Sequence, residues 1–102
     1  MLFRSTAADY KMFALTATKP LKPGLVRVPG FAGGGVETEI WTMHESEFGS
    51  FVAAIPPPLS IGSCELADGE IVKGFLCEPY ATNGMPEITH LGGWRNYLNT
   101  LT

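Results

Sequence analysis

A chain of 102 residues with 45% hydrophobic and 17% charged side chains has the size of one domain with one core, and no shift in composition marks a second. Ten acidic against seven basic residues give a formal charge of −3, with no basic run and no aromatic-basic stripe, which argues against nucleic acid as a partner. No apolar stretch approaches the roughly 18 residues of a membrane span, and Met1-Leu2-Phe3-Arg4 lacks the long apolar segment of a secretory signal, so the expectation is a cytoplasmic protein with no membrane partner.

Ser5-Thr6-Ala7-Ala8-Asp9 reads as a polar lead-in, and Tyr10 to Thr16, rich in strand formers, as the first strand. The prolines of Lys19-Pro20-Leu21-Lys22-Pro23-Gly24 break regular structure because each lacks a backbone donor, after which Leu25 to Val28 is a short extended segment. Pro29 to Gly35 is a glycine-rich turn. It is not a phosphate cradle, because strand-like residues rather than a helix start follow it.

Val36 to Trp41 alternates, sending Val36, Thr38 and Ile40 to one face and Glu37, Glu39 and Trp41 to the other, which is wet or lines a cavity. Thr42 and Glu45 fit a capping box that predicts a helix start, and Phe48, Phe51, Val52 and Ile55 form its apolar stripe, with Gly49 suited to close packing. Pro56-Pro57-Pro58 ends that helix. Ser60 to Cys77 reads as a hairpin about Asp68-Gly69, taken as a two-residue type I′ turn. That register pairs Leu66 with Ile71, Cys64 with Lys73, Gly62 with Phe75 and Ser60 with Cys77. It also keeps the two cysteines too far apart for a disulfide. Leu91, Trp94, Leu98 and Leu101 predict a C-terminal helix docked by Trp94, with Thr89 as its cap.

Candidate chemistry is sparse. His44 and His90 share no metal-ligand spacing with each other, a cysteine or a carboxylate, so no metal or other cofactor is expected. His90 either bonds backbone at a helix start or carries a proton. Glu37 and Glu39 are either solvated edge charge or a carboxylate pair. Lys73 either snorkels past apolar neighbours or places an ammonium at a cavity rim. No Gly-x-Ser-x-Gly elbow is present, which leaves nucleophilic catalysis without support.

Long segments carry a resemblance. Lys22-Pro23-Gly24-Leu25-Val26-Arg27, the run from Val36 to Trp41, and above all Phe48 to Gly62 resemble the C-terminal domain of allophanate hydrolase. Glu65 to Gly69, Val72 to Glu78, Ile88-Thr89-His90 and Gly92-Gly93-Trp94-Arg95 follow in the family's order, so the likeness runs from about Tyr10 to Leu98. It implies an α+β fold, a small mixed β-barrel with flanking helices of the gamma-glutamyl cyclotransferase-like type, formed by one domain over 1–102. In full-length allophanate hydrolase an amidase domain hydrolyses allophanate, and this domain is implicated in decarboxylating the product as urea nitrogen is released. The family's opening strand and Gly-Ala-His-Leu-Ser-Gly-like loop are expected to be missing before Tyr10, and no cyclotransferase glutamate is placed near Ile55 to Pro58.

The resemblance therefore implies a stand-alone pocket domain for a small anionic or polar molecule, such as a carboxylated urea or carbamate. Lys73 and Arg27 are the expected anion contacts, His90 the proton carrier, and Glu39 a further catalytic candidate at the mouth. The alternative is a non-catalytic accessory domain whose unpaired sheet edge forms a homodimer or meets a separate amidase.

Overall fold

The strand formers after Asp9 do form a strand, β2 (Tyr10–Leu15), and the fold is organised around it. The computed structural model describes residues 1–102. A short strand, β1 (Leu2–Ser5), precedes β2; then follow β3 (Lys22–Arg27), β4 (Glu37–Ile40), helix α1 (Glu45–Ala53), β5 (Leu59–Glu65) and β6 (Ile71–Cys77). Two 3-10 turns, Pro79–Thr82 and Thr89–Leu91, lead to helix α2 (Trp94–Thr100). No helix is long and apolar enough to cross a membrane.

β2 is satisfied on both sides. Along one edge it pairs antiparallel with β3, from Tyr10 opposite Arg27 to Leu15 opposite Lys22. Along the other, the Met12 amide donates to the Thr89 hydroxyl at 2.9 Å and the Ala14 amide to the Pro86 carbonyl at 2.9 Å. This explains why β3 starts at Lys22, three residues earlier than the prolines suggest. Ala14, opposite Pro23, turns its amide away from β3, so the ladder asks no donor of the proline there. It also corrects the role of Thr89, which caps no helix and instead supplies a buried acceptor to the central strand.

Met12, Ala14, Val36 and Ile88 form the buried cluster, and Leu25, Leu91, Trp94 and Tyr97 pack against it. Helix α2 thus docks through Trp94 and Tyr97, whose rings stack at 5.1 Å, while Leu98 and Leu101 of the expected stripe are exposed.

The strands form three two-stranded antiparallel sheets, β1–β4, β2–β3 and β5–β6, rather than a closed barrel. Single bridges at Thr6–Leu66, Phe13–Glu87 and Glu37–Gly93 tie them to their surroundings. The architecture is a small α+β fold with short sheets and two helices. A strand, Leu2–Ser5, does precede Tyr10, where none was expected, and the polar lead-in of Ser5 to Asp9 overlaps it only at Ser5. Leu2 to Ser5 lies opposite Ile40 to Glu37, a long-range pairing that local composition does not announce.

The hairpin corrects its own register. Gly69 is left-handed at φ +90, but no residue other than glycine has positive φ, so Asp68 cannot take its place in a type I′ turn. The Gly69 amide donates to Leu66 O and the Leu66 amide to Glu70 O, a type I turn followed by a glycine bulge. The extra loop residue moves every partner by one: Cys64 faces Val72, Ser63 faces Lys73, Ile61 faces Phe75 and Leu59 faces Cys77. Lys73 is therefore out of step with Cys64, not beside it. Both cysteines are buried free thiols.

Helix α1 starts at Glu45 with His44 at its cap and no capping side-chain bond, so the Thr42–Glu45 box does not form. None of its residues is buried. A methyl group at Gly49 would meet nothing within 4 Å, so that glycine serves no close packing.

Candidate functional site

The alternation of β4 and the exposure of α1 meet in one place. A cleft of about 590 Å³ opens between β4 with the loop after it, α1 and the β5–β6 hairpin, and it reaches Met12 of β2 and Trp94 of α2 at its base. Its walls are mainly apolar, with 14 of 21 lining residues hydrophobic, so charged groups within it are few enough to weigh singly. Cys64 and Leu66 are buried at the floor, while Trp41 and Phe75 stand exposed at the rim. Phe51 of α1 meets Phe75 of β6 edge to face at 5.7 Å, which joins helix to hairpin.

Lys73 is the single cation lining the cleft, opposed by Glu37 and Glu39. The Lys73 ammonium donates to the Ser63 hydroxyl at 3.2 Å. Glu39 is engaged from outside the cleft, where Arg95 Nε and Nη2 both donate to its Oε2 at 3.0 and 2.8 Å. Glu37 enters no ion pair. A smaller hollow of about 240 Å³ lies elsewhere, at Leu15, Pro58, Tyr80 and Met85, and holds no charged group.

The model of the allophanate hydrolase C-terminal domain matches residues 3–99 of this sequence. The chain belongs to that family. It is 42% identical over 99 residues to the urea amidolyases of Lachancea kluyveri and Saccharomyces cerevisiae. The match takes in 94% of this chain but 5% of each of those proteins, so the chain spans about a twentieth of the length of the curated relatives it matches. The Kluyveromyces lactis allophanate hydrolase superposes with a TM-score of 0.92 at 37% identity, over 100% of this chain and 17% of that one. A uropathogenic E. coli-specific protein superposes with a TM-score of 0.84 at 35% identity, over 97% of this chain and 75% of that one.

Within this allophanate hydrolase C-terminal domain, the four residues singled out from sequence do not converge. Lys73 and Glu39 line the cleft. Arg27 lies outside it, at the end of β3, where Nε donates to Asp9 Oδ2 at 2.9 Å and Nη2 to Glu65 Oε1 at 2.7 Å. Those two carboxylates, Asp9 first, hold the guanidinium firmly protonated, and it also lies 5.3 Å from the Tyr10 ring centre. His90 is exposed in the second 3-10 turn and is not among the lining residues. No group of three or more His, Cys, Asp or Glu side chains is placed to hold a metal ion.

Sequence reading missed the aromatic wall. Alternation alone places Trp41 beside Glu37 and Glu39, but the type I′ register pairs Phe75 with Gly62 rather than Ile61, and the apolar stripe of α1 does not say that Phe51 meets Phe75. It also misses Tyr10, which does not line the cleft but is fully buried and accepts a hydrogen bond from the Glu65 amide at 2.9 Å.

Burial pushes the Cys64, Cys77 and Tyr10 groups up from their ordinary values, since the low-dielectric interior penalises their charged forms. The unfolded chain therefore gives up these protons at lower pH than the folded one. The stability they contribute is intact below the ordinary thiol value of 9.0 and is lost as pH rises beyond it. Thermal melts are expected to hold level between about pH 7 and 8 and to fall above about pH 9. The fall should be shallower in a Cys64→Ser, Cys77→Ser double variant. An equally steep fall in that variant would assign the alkaline loss to other groups.

Proposed function

We propose that this domain binds a small carboxylated nitrogen compound, a carboxylated urea or carbamate, in the cleft and promotes its decarboxylation in the degradation of urea. The observation that carries this reading is Lys73, one cation in a mostly apolar cleft of a chain related to urea amidolyases and allophanate hydrolases. In the proposed step the bond between nitrogen and the carboxylate carbon breaks. Its electron pair stays on nitrogen, which takes a proton from solvent, and carbon dioxide leaves. An apolar wall favours the change, because the carboxylate loses charge as it becomes carbon dioxide. Lys73 orients the anion, and Glu39, held by Arg95, lines the mouth; Arg27 and His90 have no part in this reading.

Lys73→Ala is expected to weaken binding of a stable mimic such as malonate by about tenfold or more, the scale of a lost charge-assisted hydrogen bond. Lys73→Arg should recover part of it. Titration calorimetry reads both, and malonate raising the melting temperature equally in wild type and Lys73→Ala would remove Lys73 from the site. Supplying the domain to an amidase that makes the carboxylated product, and following carbon dioxide against ammonia, tests the reaction itself.

A second reading is favoured by the thinness of the interior, in which 13 of 102 residues are buried. On it the domain is an accessory module that pairs with a second copy or an amidase through a strand edge. A monomer in sedimentation at high concentration, with and without the amidase, would argue against this. We also place the domain among gamma-glutamyl cyclotransferase-like folds. That reading is supported by the short strand pairs grouped around a cleft, which the isolated bridges go part of the way to joining.

A further inference from the structure

We propose that Glu39 recognises an N–H group of the ligand, and that Arg95 is the residue that positions Glu39 to do so. This rests on the anion-site reading above and extends it from the carboxylate of the ligand to its nitrogen.

The geometry treats the two oxygens of one carboxylate differently. Arg95 Nε and Nη2 both donate to Glu39 Oε2, at 3.0 and 2.8 Å, while Oε1 accepts no hydrogen bond. Glu39 lines the cleft, so a guest there is the partner left for Oε1. The guanidinium is itself held. Arg95 is the second residue of α2, whose first, Trp94, packs against the core cluster. It lies 5.4 Å from the ring centre of Phe3, and Phe3 stands opposite Glu39 in the β1–β4 pairing. Helix α2 and both strands of that sheet therefore meet at one carboxylate.

Stability does not account for the arrangement, because an ion pair with side chains 61% and 34% exposed contributes little in water. Its effect is on order. A free glutamate loses rotamer freedom when it binds, whereas one already pinned at Oε2 has lost that freedom beforehand. Glu37 lines the same cleft but enters no ion pair, so of the two carboxylates only Glu39 is set in advance. A carboxylated urea or carbamate carries both groups that this arrangement serves: a carboxylate for Lys73 and an N–H for Glu39. An acid of similar size without an N–H satisfies Lys73 alone.

The test is calorimetric titration of the full chain with malonamate, in which a methylene replaces the central nitrogen of a carboxylated urea, and with monomethyl malonate, which has a methoxy group in place of the amide NH2. Malonamate is expected to bind about tenfold more tightly, the scale of one hydrogen bond to a charged acceptor. Glu39→Ala should bring the two ligands within about twofold of each other. Arg95→Ala should cut the preference by about threefold or more, the scale of ordering one long side chain, while its melting temperature stays close to wild type. Arg95→Lys, with the charge but without the fork of donors, should fall between the two. Both ligands are monoanions, so losing the Arg95 charge acts on both alike, and their ratio reports on N–H recognition alone. Equal binding of malonamate and the monoester by wild type would overturn this inference and leave the anion site standing. An undiminished preference in Arg95→Ala, or one lost together with the fold, would overturn the positioning role. Failure of wild type to bind either compound would overturn the anion-site reading as well.

Discussion

Leu66→Ala is expected to lower the free energy of unfolding by about 2–5 kcal/mol, the range for truncating a buried leucine. Leu66 is 1% exposed and bridged to Thr6, and it lies on the cleft floor. The cost combines the lost transfer energy of its methyl groups with a void that the neighbouring backbone cannot close, because the Leu66 amide is tied to Glu70 and the strand to β1. A domain of this size has roughly 5–15 kcal/mol in hand, so the loss should move the melting temperature by about 10 °C or more. Leu101→Ala, at an exposed site, serves as the control and should stay within about 0.5 kcal/mol. Urea denaturation reads both. A Leu66→Ala midpoint within error of wild type would mean that the floor of the cleft is held by something other than this side chain.

Gly35→Ala should be comparably severe, costing about 3 kcal/mol or more, while Gly34→Ala beside it should be close to neutral or slightly stabilising. Gly35 is left-handed at φ +82, and a methyl group there would sit 2.8 Å from the Thr6 carbonyl oxygen, which is backbone and cannot swing aside. At Gly34 the same methyl group meets nothing within 4 Å and φ is not positive. The consequence reaches the site, since Val36 follows directly, donates its amide to the Thr6 hydroxyl at 3.0 Å, and leads into the β4 wall. Gly35→Ala should therefore weaken ligand binding in the cleft as well as stability. Equal denaturation midpoints for the two variants would show that this turn tolerates rearrangement.

These positions show what could and could not be read from sequence. The end of α1 and the face of β4 that carries Glu37, Glu39 and Trp41 were legible, because proline removes a donor and a strand alternates whatever surrounds it. The family was legible from long ordered segments. The hairpin existed as expected, but its register did not. Asp-Gly suits two loop lengths, and the observed one has a local bond, from the Glu70 amide to Asp68 at 3.0 Å, and a long-range one, the pairing of Asp68 with Arg4 at 2.6 Å. Arg4 lies in the strand that composition concealed. That one-residue slip placed Lys73 beside Cys64 and hid Phe75 from the aromatic wall. Thr89 failed as a cap for a similar reason, since the orphan amide it satisfies belongs to a residue 77 positions away. Arg27 and His90 sit in family-like segments, but a segment's likeness does not say which way its side chains point.

Helix α1 buries none of its residues, yet it forms one side of the cleft. Tilting it outward breaks few favourable contacts, so the mouth can widen for a bulky guest at little energetic penalty while the strands beneath stay put. A guest that bridges Phe51 and Phe75 would pull the helix back against the hairpin, and the least anchored element of the chain would become the one most changed by occupancy.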